Sequence, residues 1–158
     1  MRPLDRIDCE ILACLQKNAR LSNKELAALV NIAQSTCLDR VKRLVEEKIL
    51  LGFHAEVSPR ALGIGIEAMI AIRLSKHSKI LVEELKSFAS GLPEVRAVYH
   101  MAGANDFLIH VAVRDADALL ELAMTSFVNR PEVDHLETAL IFEHVASSQL
   151  PVYAQLED

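Results

Sequence analysis

Between Gln34 and Arg43 the chain sets out side chains that could meet a nucleic acid: Gln34, Ser35, Thr36, Asp39, Arg40, Lys42 and Arg43. They alternate with an apolar stripe, Cys37, Val41, Leu44 and Val45, at steps of three and four. A helix would bury that stripe and present the polar set. Such a face suits the DNA major groove, where base edges offer hydrogen-bond partners and phosphates attract cations. Ser35 and Thr36 stand at the helix start, where side chains reach base edges. Arg40 is expected to grip a guanine with two donors, a contact worth about 1–3 kcal/mol of discrimination. Lys42 and Arg43 are expected to meet phosphates, and Arg20 and Lys24 to flank them. Asp39 would accept from a cytosine or orient Arg40 or Arg43. The plain alternative is a solvated helix face with an Asp39–Arg43 pair.

Other chemistry finds little support. There is no nucleophile elbow, no His-Glu-x-x-His and no Cys-x-x-Cys, so no enzyme is expected, and no cofactor or metal. His100 and His110 are expected on one sheet face. Strand spacing does not force them together with His144 into a metal site, and partly buried structural histidines explain them better. Cys9, Cys14 and Cys37 form no paired motif and read as reduced, buried thiols. Gly103-Ala104-Asn105-Asp106 consists of turn residues, and on its own terms reads as a hairpin connection.

The elements that must hold these residues change character along the chain. Leu4, Ile7, Ile11, Leu12 and Leu15 repeat at helical spacing. Ser22 with Glu25 three residues on is a capping box, opening a short helix with Leu26, Leu29 and Val30 inward. Asn31 tolerates the left-handed turn that would end it. After Asn31-Ile32-Ala33 a third helix runs from about Gln34 to Lys48, so the pair forms a helix-turn-helix. Leu51–Val57 reads as extended, and Ser58-Pro59, Gly63 and Gly65 mark a junction.

The second half reads strand, helix, strand, strand, helix, strand. The strands are Ile66–Leu74, Glu94–Ala102, Asp106–Arg114 and Val133–Val145, and the helices are Ser78–Ser90 and Ala116–Asn129. The expected inward sets are Leu81, Leu85 and Phe88; Phe107, Ile109, Val111 and Val113; Leu119, Leu120, Ala123 and Phe127; and Leu136, Leu140 and Phe142. The fold class is α+β: an N-terminal helix-turn-helix, then a ferredoxin-like βαββαβ domain. Residues 1–50 form the first domain, 51–63 an extended linker, and 64–158 the second. The other sheet face, with Met69, Ala71, Val98, His100, Leu108, His110, Ala112, Ala139 and Ile141, is more apolar than a solvated face should be. It is expected to pack on a two-fold partner.

With 158 residues, 51% hydrophobic and 25% charged, the chain is globular in composition and excludes a disordered or collagen-like one. No apolar run approaches the ~20 residues of a membrane span, and Arg2, Asp5, Arg6 and Asp8 exclude a secretory signal, so a cytoplasmic, non-membrane protein is expected. The net charge of −5 is uneven. Residues 1–60 carry ten Lys and Arg against eight Asp and Glu, the remainder seven against fourteen. A mildly basic head on an acidic body allows DNA binding at the head.

The run Leu4-Asp5-Arg6-Ile7-Asp8, then Ile11-Leu12, Leu15-Gln16, Asn18–Ser22, Glu25-Leu26-Ala27 and Ser35–Leu44, resembles the Lrp/AsnC (feast/famine) transcription regulators. Gly103-Ala104-Asn105-Asp106-Phe107 resembles that family's Gly-x-x-Asp-aromatic loop, and Ser147–Val152 its C-terminal tail. The resemblance implies a sequence-specific regulator of double-stranded DNA with a winged helix-turn-helix, its wing in 51–63, and a ligand-sensing βαββαβ domain. It implies homodimers assembling further, often to octamers, and tuning by a small effector, usually an amino acid. It also implies an effector pocket between dimers lined by Gly103, Ala104, Asn105 and Asp106. His100 and Met101 before the loop, and Leu136 and Thr138 on the last strand, are expected neighbours. An amino-acid carboxylate would take the loop N–H groups, and its ammonium the Asp106 carboxylate. The alternative is an architectural DNA binder, or a ligand-binding module with no amino-acid effector. Two departures stand out. Ala33 supplies no hydroxyl cap, which Gln34 or Ser35 would have to replace. Lys48 stands where a Gly often ends the helix, so a differently shaped helix end is expected.

Overall fold

The computed structural model describes residues 3–76, 78–147 and 149–153. Two compact units emerge: the chain through Glu56 together with the segment from Val145 onward, and Val57–His144. The division falls inside the 51–63 stretch read as linker, and the C-terminal segment joins the helices, not the sheet. Ser148, part of the tail run, lies outside the described residues. Among the described residues no helix is long and apolar enough to cross a membrane.

The first unit is built from α1 (Arg6–Lys17), α2 (Asn23–Leu29) and α3 (Gln34–Glu46). Each contributes one apolar face to a core of Ile11, Leu15, Leu26, Ala27, Val30, Cys37 and Leu44. Two expected core residues, Leu29 and Val45, are exposed instead. Each stands about 100° around its helix from a buried neighbour, Val30 or Leu44, and so turns past the edge of the packed face. Residues 51–58 form no strand, so the expected wing is not a β-hairpin. The tail is tied to α1: Gln149 Nε2 donates to the Ala13 carbonyl at 3.3 Å, and the Leu150 N–H to Gln16 Oε1 at 2.8 Å.

The second unit follows the order β1 (Ile66–Leu74), α4 (Lys79–Ser90), β2 (Val95–His100), β3 (Phe107–Val113), α5 (Ala116–Leu122) and β4 (Val133–Leu140), with a π-helical turn Ala123–Val128 continuing α5. The sheet is antiparallel in the order β2-β3-β1-β4. This is the βαββαβ arrangement expected. Ala68, Ile70 and Ile72 of β1 face the helices opposite Val111, Ile109 and Phe107 of β3, and all are fully buried. Each large side chain among them stabilises the fold by about 1.5–3 kcal/mol.

Several inward assignments shift. On α4, Leu85 and Ala89 are buried while Phe88 is partly exposed, set edge-on to Phe127 and covered by the Arg130 guanidinium. On α5, Leu122 takes the place expected of Leu120, which is exposed. β4 ends at Leu140, and both Leu140 and Phe142 are exposed, because β4 is an edge strand and Phe142 lies beyond it.

The larger correction concerns β2. Val98 pairs with Ile109 and His100 with Phe107, so both face the helices, not the open side. The register shifts between Val95 and Ala97. A bulge there reverses any alternation counted through it. Ala97 and Tyr99 take the open face instead, beside His110 and Leu108. His100 and His110 therefore lie on opposite faces. Met69, Ala71, Leu108, His110, Ala112 and Ala139 do share the open face.

Candidate functional site

The geometry of the polar helix begins with its caps. The Glu25 N–H donates to Ser22 Oγ at 3.3 Å and the Ser22 N–H to Glu25 Oε2 at 2.8 Å, which fixes the start of α2. Asn31 takes φ 53°, and the Ile32 N–H returns to the Ala27 carbonyl at 3.0 Å, closing the helix in a Schellman turn. Ala33 then caps α3 with no side-chain hydrogen bond. Neither Gln34 nor Ser35 replaces the missing hydroxyl. Instead Asn23 Nδ2 donates to the Gln34 carbonyl at 2.8 Å, tying the start of α2 to the start of α3.

At its far end α3 closes like α2. Lys48 adopts φ 56°, the Lys48 N–H donates to the Val45 carbonyl at 3.0 Å and the Ile49 N–H to that of Leu44 at 2.9 Å. This is the full Schellman pattern with lysine in the glycine position. The expected difference in shape does not occur. The lysine accepts the left-handed conformation, at a cost of about 1–2 kcal/mol.

The predicted polar residues of α3 do not share one environment. Gln34, Ser35, Thr36, Asp39 and Lys42 are exposed, and Lys42 lies 3.8 Å from Glu46. Arg20, before α2, and Lys24, in its first turn, are exposed too. Arg40 and Arg43 turn inward. Arg40 Nη1 donates to Asp5 Oδ2 at 2.6 Å and to Asp8 Oδ1 at 2.8 Å, and Arg43 Nη2 donates to Asp8 Oδ2 at 2.5 Å. No Asp39–Arg43 pair forms, because Arg43 is held by Asp8. Thr36, Asp39, Arg40 and Arg43 line a shallow cleft of about 260 Å³.

Asp8 is the centre of this cluster. It is 1% exposed and belongs to the capping box of α1, accepting from the Asp5 N–H while the Asp8 N–H donates to Asp5 Oδ1. Burial pushes its carboxyl up, but hydrogen bonds from Arg43, Arg40 and the Asp5 N–H together hold it below the ordinary aspartate value of 3.8. For Asp5 too, burial is outweighed, here by the Asp8 N–H and Arg40. Sequence reasoning passed over both aspartates. Their signal was the Asp-x-x-Asp spacing at a helix start, a capping box written with acids. It also passed over Leu38, 56% exposed on the outer side of α3.

The second candidate site is the loop from β2 to β3, which joins an edge strand to a central one. Gly103 takes φ 150°, a conformation that L side chains rarely adopt. Gly103 and Ala104 are exposed, and Asn105 half-buried. Asp106 is buried. Its Oδ2 accepts from the Leu74 N–H at 2.7 Å, its N–H donates to the Ile72 carbonyl, and its carbonyl accepts from the Met101 N–H. So the carboxylate expected for an ammonium is already anchoring the end of β1. His100 stacks on Phe107 with ring centroids 5.0 Å apart, and Met101 is exposed at the loop's entry.

Leu136 and Thr138 lie on β4, at the opposite edge of the sheet. Leu136 is level with Ile72, Phe107 and His100, but three strand spacings from His100, roughly 14 Å. One chain thus gathers His100, Met101 and the loop, and leaves Leu136 and Thr138 apart. A cleft of about 620 Å³ opens at the other end of β3, near Arg114, Glu121 and Thr125, and includes none of these residues.

No group of three His, Cys, Asp or Glu among the described residues could hold a metal ion. Burial pushes the Cys9 thiol up, with Asp8 and Asp5 adding to it, and burial alone does the same at Cys37, away from reactivity.

Residues 4–45 match the model of the AsnC-type helix-turn-helix domain, and residues 67–151 that of the Lrp/AsnC ligand binding domain. The chain belongs to the Lrp/AsnC family of transcriptional regulators. The HTH-type transcriptional regulator AldR of Mycolicibacterium smegmatis is 38% identical over 91% of this chain and 84% of its own. The leucine-responsive regulatory protein of Klebsiella pneumoniae is 31% identical over 93% and 90%. A Neisseria meningitidis transcriptional regulator solved as an L-Met complex superposes with a TM-score of 0.86, at 26% identity, over 95% of this chain and 97% of that one. The Lrp/AsnC assignment places a helix-turn-helix DNA-binding domain on α2 and α3 and a ligand-binding domain on the sheet unit.

Proposed function

We propose that this regulator reads double-stranded DNA with the exposed side of α3 and that a free amino acid, bound at the Gly103–Asp106 loop, tunes its grip or its assembly. The observation that carries the first part is the capped α2–turn–α3 unit with Ser35, Thr36, Asp39 and Lys42 exposed on one helix. Lys24 and Arg20 add phosphate contacts. Arg40 and Arg43 stand close by but are engaged with Asp5 and Asp8.

The second part rests on the loop's backbone. The N–H groups of exposed Ala104 and half-buried Asn105 are of the kind that suits a carboxylate, and the relatives include a leucine-responsive protein and one solved with L-Met. The Asp106 carboxylate supports the loop from beneath, leaving the ammonium to backbone carbonyls or to a neighbouring subunit. Leu136 and Thr138, on the far edge, join the pocket only from another copy of the chain. The open face of Met69, Ala71, Leu108 and Ala112 supports a two-fold dimer, and dimers associating around the loops give the higher oligomers, up to an octamer. The working place is the cytoplasm, and the chain has no catalytic role.

Thermal unfolding against a panel of free amino acids tests the effector. A ligand at 100 times its dissociation constant adds about 2.7 kcal/mol. A few amino acids should raise Tm in the native chain and fail to do so in Ala104→Glu, whose exposed carboxylate repels theirs. No shift with any amino acid would end the effector reading and leave DNA binding standing.

A further inference from the structure

We propose that Arg40 and Arg43 are not readers of DNA but positioning residues. Held by Asp5 and Asp8, they set the pose of α3 and leave base reading to Ser35, Leu38 and Asp39, with Lys42 on a phosphate. This deepens the DNA-binding reading above and rests on it.

The argument is one of competing partners. Asp8 is 1% exposed, and both of its oxygens are filled, Oδ1 by Arg40 and Oδ2 by Arg43. Arg40 also bridges to Asp5, so two arginines of α3 and two aspartates at the start of α1 form a charge-balanced cluster. Lifting either guanidinium out to a base would leave a buried carboxylate short of its partner. That loss costs more free energy than one two-pronged contact to guanine supplies.

The cluster also fixes geometry. Asp5 and Asp8 are themselves locked by the capping box of α1, so their oxygens are placed before α3 docks. Arg40 and Arg43 lie one turn apart on the same side of α3, and two such anchors fix its rotation as well as its depth. The outer side then follows. Ser35, Asp39 and Lys42 recur at steps of four and three and are exposed, with Leu38 beside them. A leucine 56% exposed on a recognition helix has an evident use in touching a thymine methyl.

The test uses the full chain and a random pool of 30-base-pair duplexes, selected by the native protein and then titrated together with single-base variants of the winner. Arg40→Gln and Arg43→Gln should weaken every duplex by the same factor. They should keep the ratio between the winner and its variants within twofold, leave the salt slope unchanged and lower Tm. Arg40→Lys, which retains a cation for Asp8, should recover most of the Tm and affinity. Leu38→Ala and Asp39→Ala should cut discrimination at one base position at least fivefold with Tm unmoved. Lys42→Ala should reduce the salt slope by about one.

Loss of discrimination at a single position on Arg40→Gln, with Tm intact, would overturn the proposal and return Arg40 to the bases. Failure of the native chain to enrich any duplex would overturn the DNA reading itself. The loss of Tm on Arg43→Gln, and its disappearance when Asp8→Asn is also present, would still report the cluster, so the two failures differ.

Discussion

Asp8 and Asp106 are both buried carboxylates, one in each unit, and they tie different kinds of element together. Asp8 binds two side chains of another helix besides the Asp5 N–H, and Asp106 accepts from the backbone N–H of Leu74 at the end of a paired strand. The first arrangement joins elements that no backbone ladder connects. The second seals a sheet already held by strand pairing. A helical unit without shared backbone hydrogen bonds depends on individual side chains, whereas a sheet spreads the same task over its ladder.

The strongest way to break that contrast is to delete each acid in turn. Asp8→Ala should cost about 3 kcal/mol, at the low end for a broken buried pair because the arginines are about a quarter exposed. Asp106→Ala should cost at least about 1–3 kcal/mol, since it leaves the Leu74 N–H unsatisfied. Urea unfolding of both variants measures this, and an Asp106 loss larger than the Asp8 loss would remove the contrast.

Acid titration sharpens it further. The Asp5 and Asp8 carboxyls lie below 3.8 in the folded chain, so their contribution is fully present above that value and is lost as pH falls below it. Unfolding of the helical unit should become easier below about pH 4, and Asp8→Asn should flatten that part of the profile.

Smaller effects sit at the helix ends. Lys48→Gly should raise stability by about 1 kcal/mol, because glycine takes φ 56° without strain. Ala33→Ser should add about 1 kcal/mol by supplying the missing cap of α3, and Tm measurements on both resolve effects of this size. If neither helix-end change moves Tm, local caps contribute little to this unit.

Much of the fold was legible along the chain. The helix-turn-helix was marked by Ser22, Glu25 and Asn31, and the βαββαβ order by alternation such as Phe107, Ile109, Val111 and Val113. The errors have physical causes. Phe88 and Leu120 are apolar residues at the margin of a packed face, where periodicity cannot say how far the opposing layer extends. His100 and Val98 face the helices against expectation because the bulge before Ala97 leaves no mark in the order of side-chain types. Of the candidate site, the exposure of Ser35, Asp39 and Lys42 could be read from the helical period, and the fate of Arg40 could not.

The distinction is one of range. Caps, left-handed turns and periodic faces are written in residues three to seven apart, so the amino-acid order alone determined which elements form and in what succession. Lys48 shows the limit of even that. Its left-handed turn comes from the Schellman closure around Leu44 and Ile49, not from its own preference. Which face β2 turns to the helices, and whether Arg40 meets a base or an aspartate 35 residues away, depend on what stands opposite after folding. Only the tertiary structure decided these, because a charge on a helix surface takes the partner that burial leaves most in need of it.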